Sequence, residues 1–136
     1  MTPIDIDGYL ARLGLEAARL SPDLDALRDL VARHLERVPF ENASVLRSEP
    51  IVLQPEALVA RLVGGRRGGC CYQLNGAFAA LLGGLDDEVD LLAARFHNGE
   101  GWSRASATWP SAFGWTTLRG WSTSVAATRS VSHCVW

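Results

Sequence analysis

Cys71 is the residue of this sequence best placed for covalent chemistry. The stretch "RRGGCCYQLN" (66–75) sets two adjacent cysteines between a Gly-Gly pair and the start of an apolar segment with helical spacing. A thiol in the first turn of a helix lies near the positive end of the helix dipole, and Arg66 and Arg67 precede it closely. Both factors favour the thiolate. The glycines allow a sharp turn and close approach of a substrate. A buried structural cysteine is the alternative, because free cysteines are among the most buried residues.

Helices are expected to position this stretch. Leucines and valines recur at three- and four-residue steps over 23–37, where Ser21-Pro22 signals a helix start and Pro39 ends the run. The other predicted elements are a short amphipathic helix over 5–20, a loop or short extended piece over 40–54, a helix over 55–63, a buried helix from Cys71 closed by Gly83-Gly84, and a buried strand over 88–96.

Composition limits the class of protein and its partners. The chain has 136 residues, enough for one domain, and its 13 basic residues against 15 acidic ones give a net charge of -2. Neither nucleic acid nor a membrane surface is therefore an expected partner. The sequence shows no leader pattern and no apolar run of transmembrane length. Three cysteines are an odd number, so we expect reduced thiols and a cytoplasmic protein.

Two motifs resemble a known family. "RGGCCYQLN" (67–75) is similar to the active-site motif of arylamine N-acetyltransferases: Arg-Gly-Gly, a variable residue, the catalytic cysteine, an aromatic residue, Glu or Gln, and often Asn. The match places the nucleophile at Cys71 and Cys70 on the variable position, where it is a packing residue or a bystander thiol. "VPFENASV" (38–45) resembles the Pro-Phe-Glu-Asn segment of the same family. The resemblance covers about residues 5 to 98.

The resemblance implies a mainly α fold with three parts. Residues 1–85 would be the family's N-terminal helical domain, which carries the cysteine motif; full-length members have a cysteine-protease-like α+β fold. Residues 86–98 would be the first strand of a truncated β-barrel domain. Residues 99–136 form an irregular Trp- and Ser-rich tail that we expect not to be natively folded.

The resemblance also implies a ping-pong acetyl transfer. Acetyl-CoA would acetylate the cysteine, and the thioester would then pass its acetyl group to an arylamine, arylhydroxylamine or hydrazine. No permanently bound cofactor and no metal is expected. In the family pattern Arg67 and Glu41 surround the nucleophile as a candidate buried ion pair, and Gly68 and Gly69 give the turn its shape. Gln73 and Asn75 are interpreted as polar residues of the first turn.

The histidine and aspartate that such a cysteine needs are not evident. His97 lies only 26 residues after Cys71, beside Asn98-Gly99, which predicts a turn, and His34 falls on the face of the second helix. His133 is in the anomalous tail and has too few neighbouring ligands for a metal site. The acidic residues Asp86, Asp87 and Asp90 are interpreted as a solvated turn. The truncated chain is therefore expected to be catalytically impaired.

A translated frameshift is one hypothesis for the missing partners. All five tryptophans follow residue 100, and no Asp or Glu occurs there. When the reading is shifted by one base, permitted codons give histidine and methionine at positions 108 and 109. The same shift permits Val-Asp-Val-Gly at positions 122 to 125, which matches the family's motif and spacing. We therefore predict that residues 100–136 are read out of frame.

Two other functional classes stay open. The chain could be an inactive remnant or a small helical interaction module, or it could be a different thiol enzyme that uses His97. The residues that bind the acetyl donor, the acceptor substrate and the oligomeric state are not predicted.

Overall fold

The computed structural model describes residues 4–16, 20, 23–92, 101 and 115–119, and this part of the chain is mainly α, as the sequence predicts. Its elements are α1 (Ile6–Leu13), α2 (Leu24–Arg37), α3 (Ala43–Leu46), α4 (Pro55–Val63), α5 (Cys71–Gly84), β1 (Glu88–Leu92) and β2 (Trp115–Arg119). None of the helices in these ranges is long and apolar enough to span a bilayer.

The first two helices begin at aspartates. The Asp5 carboxylate accepts the N–H of Gly8 at 2.8 Å, and the Asp23 carboxylate accepts the N–H of Ala26 at 2.8 Å. Such bonds satisfy backbone donors that the first helical turn leaves open. The predicted start signal at Ser21-Pro22 is therefore wrong, since Asp23 caps α2; Ser21 and Pro22 themselves lie outside the described residues.

Gly14 ends α1 much earlier than predicted. Its φ of 72° lies in the left-handed region, where glycine closes helices at low cost. The predicted helix over 5–20 was thus too long. The helices predicted over 55–63 and from Cys71 to the Gly83-Gly84 pair agree with α4 and α5.

The core lies between α1, α2, α4 and α5. Its largest fully buried side chains are Tyr9, Leu10, Leu13, Leu58, Val59, Leu62, Leu81 and Leu82, and α2 adds Leu27 and Leu30. Full burial of one such aliphatic side chain contributes about 1.5–3 kcal/mol. This shared core holds the start of α5 in a fixed position relative to α1 and α4.

The segment over 40–54 is only partly the predicted loop. Phe40 is extended and forms a parallel bridge with Gly69, but 43–46 closes one helical turn as α3. A four-residue helix is too short to produce a visible hydrophobic period. This segment runs beside the turn that leads into α5.

β1 and β2 form an antiparallel pair, in register from Glu88 opposite Arg119 to Leu92 opposite Trp115. β1 begins where the strand over 88–96 is predicted, while residues 93–96 lie outside the described part. Within 99–136 the structure describes only Gly101 and β2. The prediction that this tail is not natively folded stays a prediction.

Candidate active site

Cys71 is the first residue of α5, as predicted. It is half-buried, whereas Cys70 before it is buried, with only 6% of its surface exposed. No disulfide joins the two. The side chain at position 71 is thus the more accessible of two adjacent thiols, at the positive end of a 14-residue helix.

Cys70 is the N-cap of α5. Its backbone is extended, with φ -76° and ψ 174°, and its sulfur accepts the N–H of Gln73. In return the Oε1 atom of Gln73 accepts the N–H of Cys70 at 3.2 Å. This reciprocal pair is a capping box with cysteine in the place that serine or threonine usually takes. The burial of Cys70 agrees with the packing alternative rather than with a bystander thiol, and the bond to Cys70 adds a capping contact to the predicted first-turn position of Gln73.

The Gly68-Gly69 turn packs against the chain that follows α2. The carbonyl of Gly69 accepts the N–H of Glu41 at 3.0 Å, and the N–H of Gly69 donates to the carbonyl of Pro39 at 3.4 Å. A Cβ atom at Gly68 would collide with that same Pro39 carbonyl oxygen. The approach of two backbones therefore requires glycine at 68.

Glu41 binds four donors around this turn. Its Oε1 atom accepts Arg67 Nε at 3.0 Å, Arg61 Nη2 at 3.2 Å and the N–H of Gly68 at 3.1 Å. Its Oε2 atom accepts Arg67 Nη2 at 3.1 Å, so the pair with Arg67 is bidentate. The carboxylate is 26% exposed and the Arg67 side chain 34%, so the predicted ion pair is present but only partly buried.

Arg61 and Arg12 also belong to this site, although the sequence does not single them out. Arg61 Nε donates to the carbonyl of Gly68 at 2.7 Å, and its Nη2 also contacts Ser44 Oγ at 3.2 Å. Arg12 Nη2 donates to the carbonyl of Arg67 at 3.2 Å. Arginine in the last turn of a helix is common, so the position of Arg61 in α4 carries no distinguishing signal.

The charges of the ion pair reinforce one another. Hydrogen bonding from Arg67 is the main cause that lowers the pKa of Glu41 below its usual value, and burial opposes it. The same bond raises the pKa of Arg67. Two guanidinium groups share one carboxylate here, so the turn before Cys71 carries net positive charge.

Comparisons with known proteins identify the family. The sequence model of a family described as N-acetyltransferase matches residues 23–108. An arylamine N-acetyltransferase of Mycolicibacterium smegmatis is 45% identical over 93 residues, which are 68% of this chain and 34% of that protein. The chain belongs to the arylamine N-acetyltransferase family. It spans about a third of the length of the curated relatives it matches.

Solved structures of the family share the fold. The arylamine N-acetyltransferase of Salmonella typhimurium superimposes with a TM-score of 0.71 at 31% identity, covering 87% of this chain and 41% of that one. The Mycobacterium marinum enzyme, solved in complex with CoA, gives a TM-score of 0.66 at 33% identity, covering 84% and 45%. These matches confirm the predicted fold class for this family member.

Among the described residues of this arylamine N-acetyltransferase chain, His34 is the only histidine. It is buried, its Nδ1 atom lies 3.1 Å from the hydroxyl of Tyr9, and its ring lies 5.0 Å from that of Phe78. It is therefore a core histidine rather than the helix-face residue that the sequence indicated. The candidates His97 and His133 lie outside the described residues.

The acidic turn after α5 lies at the surface. Asp86 is exposed, with φ 65°, and joins α5 to β1 together with Asp87. An exposed aspartate tolerates the left-handed conformation because its short side chain can bond locally. The predicted solvated turn is thus present at Asp86, but Asp90 lies in β1 opposite Thr117 rather than in the turn.

We expect Glu41→Gln to lower the free energy of unfolding by about 2 kcal/mol, since an amide replaces one acceptor oxygen of a charge-assisted network. Chemical denaturation measures this. The matched control is Asp29→Asn, which removes the carboxylate from an exposed pair with Arg33 at 3.2 Å and should change stability by less than about 0.5 kcal/mol. Equal losses in the two variants would contradict a central role for Glu41.

We expect the free energy of unfolding to decrease in weak acid because His34 is buried in its neutral form. Burial, aided by the charge of Arg12, lowers the pKa of His34 from 6.5 to about 4. The unfolded chain then binds this proton at higher pH than the folded chain does. The stabilisation is complete above about pH 6.5 and is lost progressively down to about pH 4, a total on the order of 3 kcal/mol.

The measurement for His34 is urea denaturation at a series of pH values. His34→Gln should flatten the dependence between pH 6.5 and 4.5. The lowered pKa of Glu41 places its own loss below its ordinary value of 4.5, outside this window. An unchanged slope in His34→Gln would assign the acid sensitivity to another group.

Proposed function

We propose that Cys71 is the acyl-accepting nucleophile of an acetyl-CoA-dependent acetyl transfer to arylamines, arylhydroxylamines or hydrazines. The observation that supports it most is the place of Cys71 at the first residue of α5, behind a Gly-Gly turn held by Glu41. Backbone N–H groups at a helix start favour both a thiolate and the oxyanion that forms on an attacked carbonyl. The relatives' name and the CoA complex of the Mycobacterium marinum enzyme support the substrate class.

The transfer has two balanced steps. In the first, the Cys71 thiolate attacks the acetyl carbonyl of acetyl-CoA; a new C–S bond forms, the C–S bond to CoA breaks, and the CoA thiolate takes up a proton. In the second, the nitrogen or oxygen of the acceptor attacks the thioester. The C–S bond to Cys71 breaks, and the proton of the acceptor passes to the released thiolate.

We infer that the 136-residue chain performs this transfer slowly. A cysteine of this kind gains rate from a histidine that moves its proton and an aspartate that orients the histidine. The described residues place His34 in the core, bonded to Tyr9, where it serves packing. Cytoplasmic conditions would keep both thiols reduced, as the first step needs.

We propose that a frameshift in the gene explains why the sequence shows no evident triad histidine and aspartate. The composition changes near residue 100: the five tryptophans all follow it, and no Asp or Glu does. The nucleotide sequence over codons 100–136 tests this directly. Histidine and aspartate codons in the shifted frame at positions 108 and 123 would support it, and their absence would refute it.

The experiment for the transfer itself compares rates. The purified chain and the Mycolicibacterium smegmatis relative are each mixed with acetyl-CoA and an arylamine, and the release of CoA is followed. We expect this chain to turn over at least about 1000-fold more slowly, because acid–base catalysis alone contributes about 100- to 10,000-fold. Equal rates would refute the inferred impairment. Loss of the residual rate in His97→Ala would favour a thiol enzyme based on His97.

An interaction module is the second candidate. Leu46 is 85% exposed, and Val52 and Leu53 are about half exposed on the same connection between α2 and α4. Large apolar side chains in this concentration are typical of surfaces that contact other proteins. This candidate predicts no acetyl adduct at any thiol after incubation with acetyl-CoA.

A further inference from the structure

The capping box at Cys70 and Gln73 is buried more completely than the nucleophile that it flanks. Gln73 is 4% exposed and Cys70 is 6% exposed, while Cys71 between them is half-buried. The two reciprocal bonds fix the backbone on both sides of Cys71. The box therefore determines how the first turn of α5 presents its N–H groups and the Cys71 side chain.

Gly69 and Gln73 fit each other closely. A Cβ atom at Gly69 would lie 2.8 Å from both the Cβ and the Oε1 atoms of Gln73. The side chain of Gln73 thus fills the space that the glycine leaves, with its oxygen directed to the N–H of Cys70. This contact gives the second glycine of the motif a role beyond the turn.

The first turn of α5 differs from those of the other long helices in charge. α1, α2 and α4 carry Asp7, Asp25 and Glu56 in their first turns, and α5 carries no acidic residue there. Glutamate is the usual partner in a capping box, so the chain has the neutral analogue at Gln73. An acid in the first turn lowers the positive potential of the helix start.

We propose that Gln73 is a positioning residue for Cys71: it closes a neutral capping box with Cys70, and so leaves the positive potential of the α5 start to act on the Cys71 thiolate. This inference rests on the proposed function for its purpose, since a thiolate at Cys71 serves acyl transfer. The charged groups around the loop that leads into α5 are Arg12, Glu41, Glu49, Arg61, Arg66 and Arg67, so four basic groups face two acidic ones.

The test is the pH profile of alkylation at Cys71 by iodoacetamide, followed by mass spectrometry of the peptide that contains it. Gln73→Glu keeps the acceptor oxygen and the side-chain length but adds a charge. We expect the midpoint of the profile to rise by about one pH unit. The added carboxylate would lie within one helical turn of Cys71 in a partly hydrated site, where it disfavours the thiolate. The thermal midpoint should stay within about 3 °C of the parent.

Three further variants separate charge from structure. Gln54→Glu is the matched control: Gln54 occupies the N-cap position of α4, at the end opposite to Arg61, and the alkylation profile of Cys71 should not move. Cys70→Asp places a charge on a favoured N-cap residue, so the helix start is kept and the midpoint should again rise. Gln73→Met removes the box without charge and should lower the thermal midpoint by about 5 °C.

The outcome is decided without any acetyl donor. An unchanged midpoint in both Gln73→Glu and Cys70→Asp would overturn the proposal and leave the box a purely structural feature. A rise in both, with Gln54→Glu unchanged, supports it. Because iodoacetamide needs no acetyl-CoA, the positioning role can stand while acetyl transfer fails, and acetyl transfer can stand while the positioning role fails.

Discussion

We expect Cys71→Ala to abolish acetylation of the chain by acetyl-CoA and by the activated ester p-nitrophenyl acetate, whereas Cys70→Ser should retain most of it. This is the largest functional effect that we expect. Cys71 is the half-buried first residue of α5. Cys70 is buried, and its sulfur accepts a capping hydrogen bond from the backbone of Gln73. A nucleophile that becomes covalently bonded to the acyl group has no substitute within the same turn.

The measurement is intact-mass spectrometry after a fixed incubation with each donor. Serine at position 70 keeps an N-cap acceptor, so the helix start survives in the control. The result that would contradict the assignment is retained acetylation in Cys71→Ala together with its loss in Cys70→Ser. Iodoacetamide labelling of both variants under denaturing conditions verifies that the remaining thiols are intact.

Gly68→Ala is expected to cause the largest loss of stability, about 3 kcal/mol, and to lower the thermal midpoint by about 15 °C. The new methyl group would collide with the Pro39 carbonyl oxygen, which belongs to the backbone and cannot rotate away. If the backbone segments at 39–41 and 68–69 moved apart, the bonds between Gly69 and Pro39 and between Glu41 and Gly69 would also break. Each such backbone bond contributes about 1 kcal/mol.

Gly83→Ala is the matched control for this substitution. It lies in the last turn of α5, and a Cβ atom there meets nothing within 4 Å. Alanine is favoured over glycine in a helix by about 0.5–1 kcal/mol, so this variant should be slightly more stable than the parent. Thermal unfolding followed by circular dichroism compares the two. A similar thermal midpoint for both variants would show that the backbone around residue 68 shifts at little cost, and would contradict this prediction.

Local signals in the sequence were sufficient to place Cys71 at the start of a helix. A glycine pair followed by apolar residues at helical spacing predicts a helix start, and α5 begins at Cys71 as expected. Glu41 and Arg67 were paired only through the family resemblance, because 26 residues separate them along the chain. No periodicity or cap signal reports a contact over that distance.

The contacts missed by the sequence are those made between elements. Arg61 reaches Glu41 across 20 residues, and Arg12 reaches the carbonyl of Arg67 across 55. The burial of His34 likewise depends on how α1 and α5 pack on α2. Arginine and histidine on an amphipathic helix are usually solvent-facing, so tertiary packing decided these cases.

The end of a helix proved harder to predict than its existence. Gly14 could have been assigned as the end of α1, since a glycine after an apolar run is a stop signal. Asp23 competed with Ser21 as the cap of α2, and both residue types are favoured there. The capping box at Cys70 was hidden because cysteine rarely occupies that position.

The central claim is that Cys71 is the acyl acceptor, and mapping the acetyl group on the wild-type chain tests it most directly. The chain is mixed with acetyl-CoA, quenched in acid, digested and analysed by tandem mass spectrometry, and a second portion is treated with a hydrazine before digestion. We predict one acetyl group on the Cys71 sulfur, which the hydrazine removes as its acetylated product. An acetyl group on Cys70 alone, or no thioester at either cysteine, would contradict the account.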